Sequence, residues 1–254
     1  MASKKKTRKI AISLNKGGVA KSSTAVSMSH GLARAGKKVL LIDTDAQGQD
    51  SFLLGLTPES GLAEVVAGDI NPHEAMTPAR ENLWLLAGGA SLAGVEREIA
   101  RSNYGGENTL SKALSCFDGE FDYIILDTGP TWSSMMINTL FYADEILAPV
   151  SLEVLTLNSL VEYSSRLADI QKHKPSLKLK YVLPTFFDRR VKKSQEILSQ
   201  IKKHYKKQIC DPINYNVRMS EAPGYGQTIF EHAPSSVGAK GYKKLIDRVM
   251  KDGR

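Results

Sequence analysis

Residues 12–24 read ISLNKGGVAKSST. Paired glycines stand between two lysines, hydroxyl residues follow, and an apolar run, KIAISLN (9–15), comes directly before. The run reads as a buried strand, and Ser22 to Ala35 reads as a helix that Gly36 ends. A strand, a glycine turn and a helix in that order make an anion cradle. Glycines let backbone N–H groups curl around phosphate oxygens, and the helix N-terminus adds its dipole. Lys21 is placed to reach β- and γ-phosphates and Ser22 to put its hydroxyl on Mg²⁺. The pattern G-x-x-x-x-G-K-[ST] fails at both glycine positions, which hold Asn15 and Ala20, so the context carries the reading.

Working outward, further apolar runs lie at 38–43, 83–88, 121–127, 145–151 and 179–185. Helical patterns lie between them at 109–117, 131–142, 155–173 and 190–204, with a last one toward the C-terminus. The runs are continuous rather than alternating, as a parallel sheet covered on both faces requires. The expected fold is α/β: a single doubly wound, mostly parallel sheet with helices on both faces. Residues 1–8 read as a basic tail and 9–254 as one domain. Cys116 and Cys210 have no metal-type spacing and read as reduced thiols. No stretch approaches the roughly 20 apolar residues of a membrane span, and the run after MASKKKTRK is too short for a signal peptide.

Net charge is +7, unevenly spread. Residues 1–9 carry +5, residues 10–171 carry −10, and residues 172–254 carry +12, from 19 Lys/Arg against 7 Asp/Glu. A basic back third fits a polyanion partner as well as it fits solvated helix faces. In the acidic part, Asp43-Thr44-Asp45 follows the second strand, so two carboxylates leave one strand end. Asp127 closes the run Asp122-Tyr123-Ile124-Ile125-Leu126-Asp127. A carboxylate at that place holds Mg²⁺ beside a phosphate loop.

Lys16-Gly17-Gly18-Val19-Ala20-Lys21-Ser22-Ser23 resembles the deviant Walker A motif, K-G-G-x-G-K-[ST]-T, of the ParA/MinD superfamily of P-loop ATPases. The resemblance implies ATP and Mg²⁺ as ligands. It gives the two lysines separate tasks: Lys21 serves the chain's own nucleotide, and Lys16 reaches the nucleotide of a second copy. ATP-dependent homodimerisation follows. Asp43-Thr44-Asp45-Ala46-Gln47 resembles the D-x-D-P-Q segment, which makes Asp45 the residue that orients the attacking water and Asp43 its support. Ser22 and Asp127 become the metal residues. Asn216-Val217-Arg218-Met219-Ser220-Glu221-Ala222-Pro223, with Gly226-Gln227-Thr228 and the stretch 232–242, resembles the Soj/ParA branch. Similarity extends from about residue 9 to 250.

That branch binds duplex DNA without sequence preference, which the resemblance assigns to Arg218, with Lys240, Lys243 and Lys244 beside it. By position, Thr185 and Ile213-Asn214-Tyr215 lie near the base. The implied protein is a cytoplasmic, nucleoid-associated partition ATPase, weak until a ParB-like or adaptor protein stimulates it. Its cargo would be a plasmid, a chromosome or a protein assembly. Ala20, Ala46 and Gly129 depart from the family pattern around the γ-phosphate. Slow hydrolysis with nucleotide binding retained is therefore expected. The alternative is a MinD-like membrane-associated regulator. It rests on YKKLIDRVMK, whose Leu245, Ile246, Val249 and Met250 share a helical face. A redox protein related to nitrogenase iron proteins shares the loop but needs cluster-ligating cysteines.

Overall fold

The computed structural model describes residues 6–102 and 105–253. Its strands are β1 Arg8–Ile12, β2 Val39–Asp43, β3 Thr77–Arg80, β4 Leu83–Leu86, β5 Tyr123–Asp127, β6 Glu145–Ser151 and β7 Lys178–Thr185. They form one seven-stranded sheet in the order β3-β4-β2-β5-β1-β6-β7. All neighbours pair parallel except β3 with β4. β2 and β5 are buried along their whole length, as continuous apolar runs demand when helices cover both faces.

Two apolar layers result. On one face, α1 (Lys21–Arg34), the end of α2 (Gln49–Leu54), α10 (Ile229–His232) and α11 (Val237–Lys251) pack around Met28, Leu32, Tyr242 and Val249. On the other lie α3 (Leu62–Ala67), α4 (Leu92–Arg101), α5 (Thr109–Ala113), α6 (Ser134–Tyr142), α7 (Val154–His173) and α8 (Lys192–His204). A one-turn helix, α9 (Arg218–Glu221), leads into the last segment. Leu245, Ile246 and Val249 of α11 are all buried. The amphipathic face that suggested a membrane helix is therefore spent on the core. Among the described residues no helix is long and apolar enough to cross a membrane.

Several expected elements differ. The first strand ends at Ile12, because Ser13, Leu14 and Asn15 already belong to the loop. The run 83–88 stops at Leu86, and its last residues turn inward. The helix expected at 109–117 breaks after Ala113 into a 3-10 turn, Ser115–Phe117. α2, α3, α4 and the edge strand β3 were not anticipated. β3 carries Pro78, which an edge position tolerates. Of the expected tail, Thr7 and Arg8 belong to the domain instead. The Thr7 hydroxyl donates to the Phe121 carbonyl at 2.7 Å. Arg8 makes a two-pronged pair with Glu145, at 3.0 and 2.7 Å, and donates to the Val249 carbonyl of α11. Residues 1–5 lie outside the described residues. Both cysteines are free, Cys116 exposed and Cys210 buried.

His30 of α1 is buried, with Nδ1 2.6 Å from the Thr228 hydroxyl oxygen and its ring edge-on to Phe230. Burial, the largest influence, holds its pKa below the ordinary histidine value. The carboxylate of Glu231 opposes that shift, and the charges of Arg80 and Arg34 add to it. The unfolded chain therefore binds this proton first as pH falls, so the stability due to neutral His30 is present above pH 6.5 and lost below it. Urea melts should show the wild type losing up to about 2 kcal/mol more than His30→Gln between pH 6.5 and 5. Parallel curves for the two proteins would contradict this.

Candidate functional site

Sheet register sets the site. Ile12, the last residue of β1, pairs with Asp127 of β5, and Asp127 pairs with Asp43 of β2. The loop after β1 and two carboxylates thus leave the sheet in one row at the carboxyl ends of parallel strands, where α/β folds bind ligands. Thr44 fastens the row, its N–H and hydroxyl both donating to the Asp127 carbonyl at 3.0 and 2.6 Å. Thr128 donates to the Ile12 carbonyl at 3.0 Å.

The loop turns through two left-handed residues, Gly18 at φ 71° and Ala20 at φ 68°. That conformation is free for Gly18 and costs about 1 kcal/mol for a residue with a Cβ. Ala20 holds it through its neighbours. Its carbonyl accepts the Thr24 N–H at 3.0 Å, and the Val19 carbonyl accepts the Thr185 hydroxyl at 3.2 Å. α1 begins here with no capping side chain and no acid in its first turn. Its first N–H groups are left for an anion. The buried Lys21 donates through Nζ to the Lys16 carbonyl at 2.7 Å, closing the loop under its own ammonium. Burial lowers its pKa, opposed by the charges of Asp127 and Asp45. Lys16 is half-buried and Gly17 and Gly18 are exposed. Among the described residues nothing pairs with the Lys16 ammonium.

Facing the loop is a carboxylate group. Asp43 accepts the Asp45 N–H at 2.9 Å and the Asp50 N–H at 3.2 Å. Burial, the largest influence, pushes its pKa up to about 6 against those two bonds. Asp127 is pushed well up by burial and then by the charge of Asp43, with the Ser22 hydroxyl and Lys21 pulling the other way. Neither of its oxygens has a hydrogen bond of good geometry, and the same holds for Asp50 of α2. Burial, and then the charge of Asp127, raise Asp50 strongly too. Buried, orphaned carboxylate oxygens beside a hydroxyl are the donor set of a hard divalent cation, so these residues fit Mg²⁺. Asp45 is half-buried, its Oδ1 accepting the Gln47 N–H at 3.1 Å. A Cβ on Gly129 would lie 3.3 Å from that oxygen.

Beyond Ala20 and Ser23 opens a cleft of about 260 Å³ between Thr185, Phe186, Asn214, Tyr215, Met219 and Tyr242. Its wall is the strand-like pairing of Phe187 with Asn214, which extends β7. Thr185 bonds the loop at Val19, and Asn214 lines the cleft onto which Ala20 opens. Phe186 sits at φ 54°, strained for a bulky residue at a cleft mouth. Arg218, Lys240, Lys243 and Lys244 are all exposed. Lys240 and Lys243 share a second cleft with Arg34. Arg218 stands outside it, paired with Glu221 at 2.8 Å, and Lys244 faces Asp211 at 3.6 Å.

Sequence reasoning missed Asp50, Gly88 and Phe186. Asp50 belongs to none of the motifs in the sequence, and its burial sets it apart. Gly88 backs the acidic segment so closely that a Cβ would lie 2.7 Å from the Asp45 carbonyl and 2.8 Å from Asp43 Oδ1.

A family model described as an AAA domain matches residues 7–179. The chain is 34% identical over 247 residues to the chromosome-partitioning ATPase Soj of Thermus thermophilus, covering 96% of each. It is 32% identical over 250 residues to the sporulation initiation inhibitor protein Soj of Bacillus subtilis, covering 96% of this chain and 98% of that one. Among solved structures, cobyrinic acid a,c-diamide synthase from Mycobacterium smegmatis with bound ADP and magnesium superposes with a TM-score of 0.83. That protein is 31% identical, and the match covers 98% of this chain and 97% of that one.

Gly88→Ala should force the Asp43–Asp45 segment away from the loop. A displacement near 1 Å at a reacting centre costs on the order of 100-fold in rate. Turnover of ATP should fall at least tenfold, with a stability loss of about 1–3 kcal/mol in thermal melts. Unchanged turnover would show that the glycine's close approach is unimportant.

Proposed function

The chain belongs to the Soj/ParA family of partition ATPases, and from that premise we propose that it is an ATP-switched homodimer that binds duplex DNA without sequence preference and positions a cargo on it. The chain from Thr7 onward acts as one ATPase domain. The observation that carries the reading is the uncapped start of α1, with buried Lys21 above it and Asp43 and Asp127 opposite. Few ligands other than a phosphate chain with its cation satisfy both sides at once.

In this reading the substrate is ATP with Mg²⁺. Gly17, Gly18, Val19, Ala20 and the N–H groups of Lys21, Ser22 and Ser23 surround the phosphates. The Lys21 ammonium neutralises the β- and γ-oxygens. Thr185 and Asn214 face the base from the adjoining cleft. Ser22 and Asp127 would hold the Mg²⁺ ion, which when bound neutralises charge on the phosphate oxygens. Asp45 accepts a proton from the attacking water as its oxygen bonds to the γ-phosphorus and the bridging bond to ADP breaks. Asp43 fixes the Asp45 backbone through the 2.9 Å bond from its N–H. Lys16, unpaired within the described chain, supplies its charge to the second copy's phosphates.

Slow hydrolysis has two supports. Ala20 is in the left-handed conformation that glycine adopts freely, and Asp45 has little to hold it, with a glycine at position 129. A ParB-like or adaptor partner would speed the step. Arg218, Lys240, Lys243 and Lys244 are free to meet phosphates, contacts that carry no base preference and weaken steeply with salt. Arg218 exchanges only an exposed pair with Glu221 for that contact, a pair worth about 0.2–1 kcal/mol. The protein would then sit on the nucleoid in the cytoplasm. The membrane reading loses its support, because its helix face is buried against α1.

Fluorescence anisotropy on an arbitrary duplex, at low and moderate salt, tests this. Binding is expected with ATP–Mg²⁺ and not with ADP or without nucleotide. It should drop at least tenfold in Arg218→Ala and in Lys16→Ala. Lys16→Ala should also lose the ATP-dependent dimer in light scattering. Binding indifferent to nucleotide would overturn the switch, and none in any state would overturn the DNA assignment.

A further inference from the structure

Asp50 is not accounted for by the nucleotide reading. It lies in the first turn of α2, where an acid ordinarily caps the helix or faces water. Here Gly48 occupies the cap position, no side chain caps the helix, and Asp50 is fully buried. One oxygen from each of Asp43, Asp50 and Asp127 lies within 4.8 Å of the others. Asp43 uses its two oxygens on backbone N–H groups. Among the described residues the remaining carboxylate oxygens of the group, both of Asp50 and both of Asp127, have no hydrogen-bond partner of good geometry. Unpaired buried carboxylates are strongly unfavourable, and a third one beside two others adds repulsion that packing cannot relieve. The nearby Lys21 ammonium spends one N–H on the Lys16 carbonyl, and its single charge faces three buried carboxylates.

We propose that Asp43, Asp50 and Asp127 bind a hard divalent cation in the absence of nucleotide, so that ATP meets a preloaded site. The orphaned oxygens point to this ligand independently of the acidic clustering, since a purely structural role would have given them donors. The donor set is all oxygen, which selects Mg²⁺, Mn²⁺ or Ca²⁺ over softer ions. Donor atoms that all lie within 4.8 Å of one another can share one such ion, at about 2.3–2.6 Å for calcium or about 2.0–2.1 Å for magnesium. The proposal goes beyond the ATPase reading and stands without it, because its ligand is the cation alone.

The test is a titration of the metal-stripped, nucleotide-free chain with Mn²⁺, read by loss of the free-ion signal in electron paramagnetic resonance. Ca²⁺ and Mg²⁺ serve as competitors. One saturable ion per chain is expected at sub-millimolar concentration, together with a rise in melting temperature. Asp50→Asn should weaken Mn²⁺ at least tenfold, yet melt no lower than wild type when both are metal-free. Binding of a fluorescent ATP analogue with Mg²⁺ is measured in parallel. No saturable Mn²⁺ binding by the wild type would overturn the proposal, even with the analogue bound, and would leave the nucleotide reading intact. Mn²⁺ binding unchanged in Asp50→Asn would overturn the role of Asp50. Mn²⁺ binding without any analogue binding would support the cation site while removing the nucleotide reading. Should Asp50→Asn fail to fold, Asp50→Ser replaces it, and the wild-type titration decides the first point unaided.

Discussion

The lateral register of β1, β5 and β2 is the constraint on which the site depends. It aligns Ile12, Asp127 and Asp43 in one row, so a loop and two acids distant in sequence arrive at one edge. A slip of one residue would turn each of these side chains to the other face of the sheet. The slip is resisted because every residue of β2 and β5 is buried and both faces are packed. The threonines add a second lock, since Thr44 and Thr128 spend their hydroxyls on carbonyls of the neighbouring strands. A phosphate loop tolerates little error in position, and a fully buried part of the sheet adjoins it.

The two faces of the sheet do different work. One is closed by α1 and α11, joined by the Thr24 and Tyr242 hydroxyls at 3.0 Å and by Arg8, which ties Glu145 of β6 to the last turns of α11. That face fixes the helix whose N-terminus serves the anion. The other face, around Leu140, Tyr163 and Ile201, packs on β5, β6 and β7. Basic residues lie outside these layers, on α9 and the exposed side of α11. A change at the phosphate loop can reach the basic surface through α1 and the helices packed on it, or across the cleft that Ala20 shares with Met219 of α9.

Much of this is legible in the chain. The stretches at 39–42 and 124–126 are apolar without interruption, which favours a covered parallel sheet and places Asp43 and Asp127 at strand ends. The helix after KSS follows from its periodicity. What was missed was hidden for physical reasons. Thr77–Arg80 is too short and too polar to read as a strand, and it is one only because β4 offers it an edge. Arg8 looks like part of a basic tail until Glu145 and Val249 are seen around it. Gly88 matters through a backbone approach that no local pattern records. α4 is a different case: Leu92, Val95 and Ile99 recur at helical spacing and are all buried, so its periodicity was there to be read.

Family-pattern departures gain a physical meaning from the structure. Ala20 adopts the backbone a glycine would, and bonds through its own carbonyl, Val19 and Lys21 offset a strain of about 1 kcal/mol. The loop keeps its shape, so phosphate binding need not suffer. Gly129 acts elsewhere. Without a Cβ there, nothing at that position presses on Asp45, and among the described residues that carboxylate accepts the Gln47 N–H alone. Of the acids at the site, Asp43, Asp50 and Asp127 are buried, and Asp45 alone is half-exposed and loosely tethered. In the proposed chemistry it is also the one that must point at water. An active centre of the proposed kind would bind its nucleotide on this buried frame and leave Asp45 to be ordered by the proposed partner.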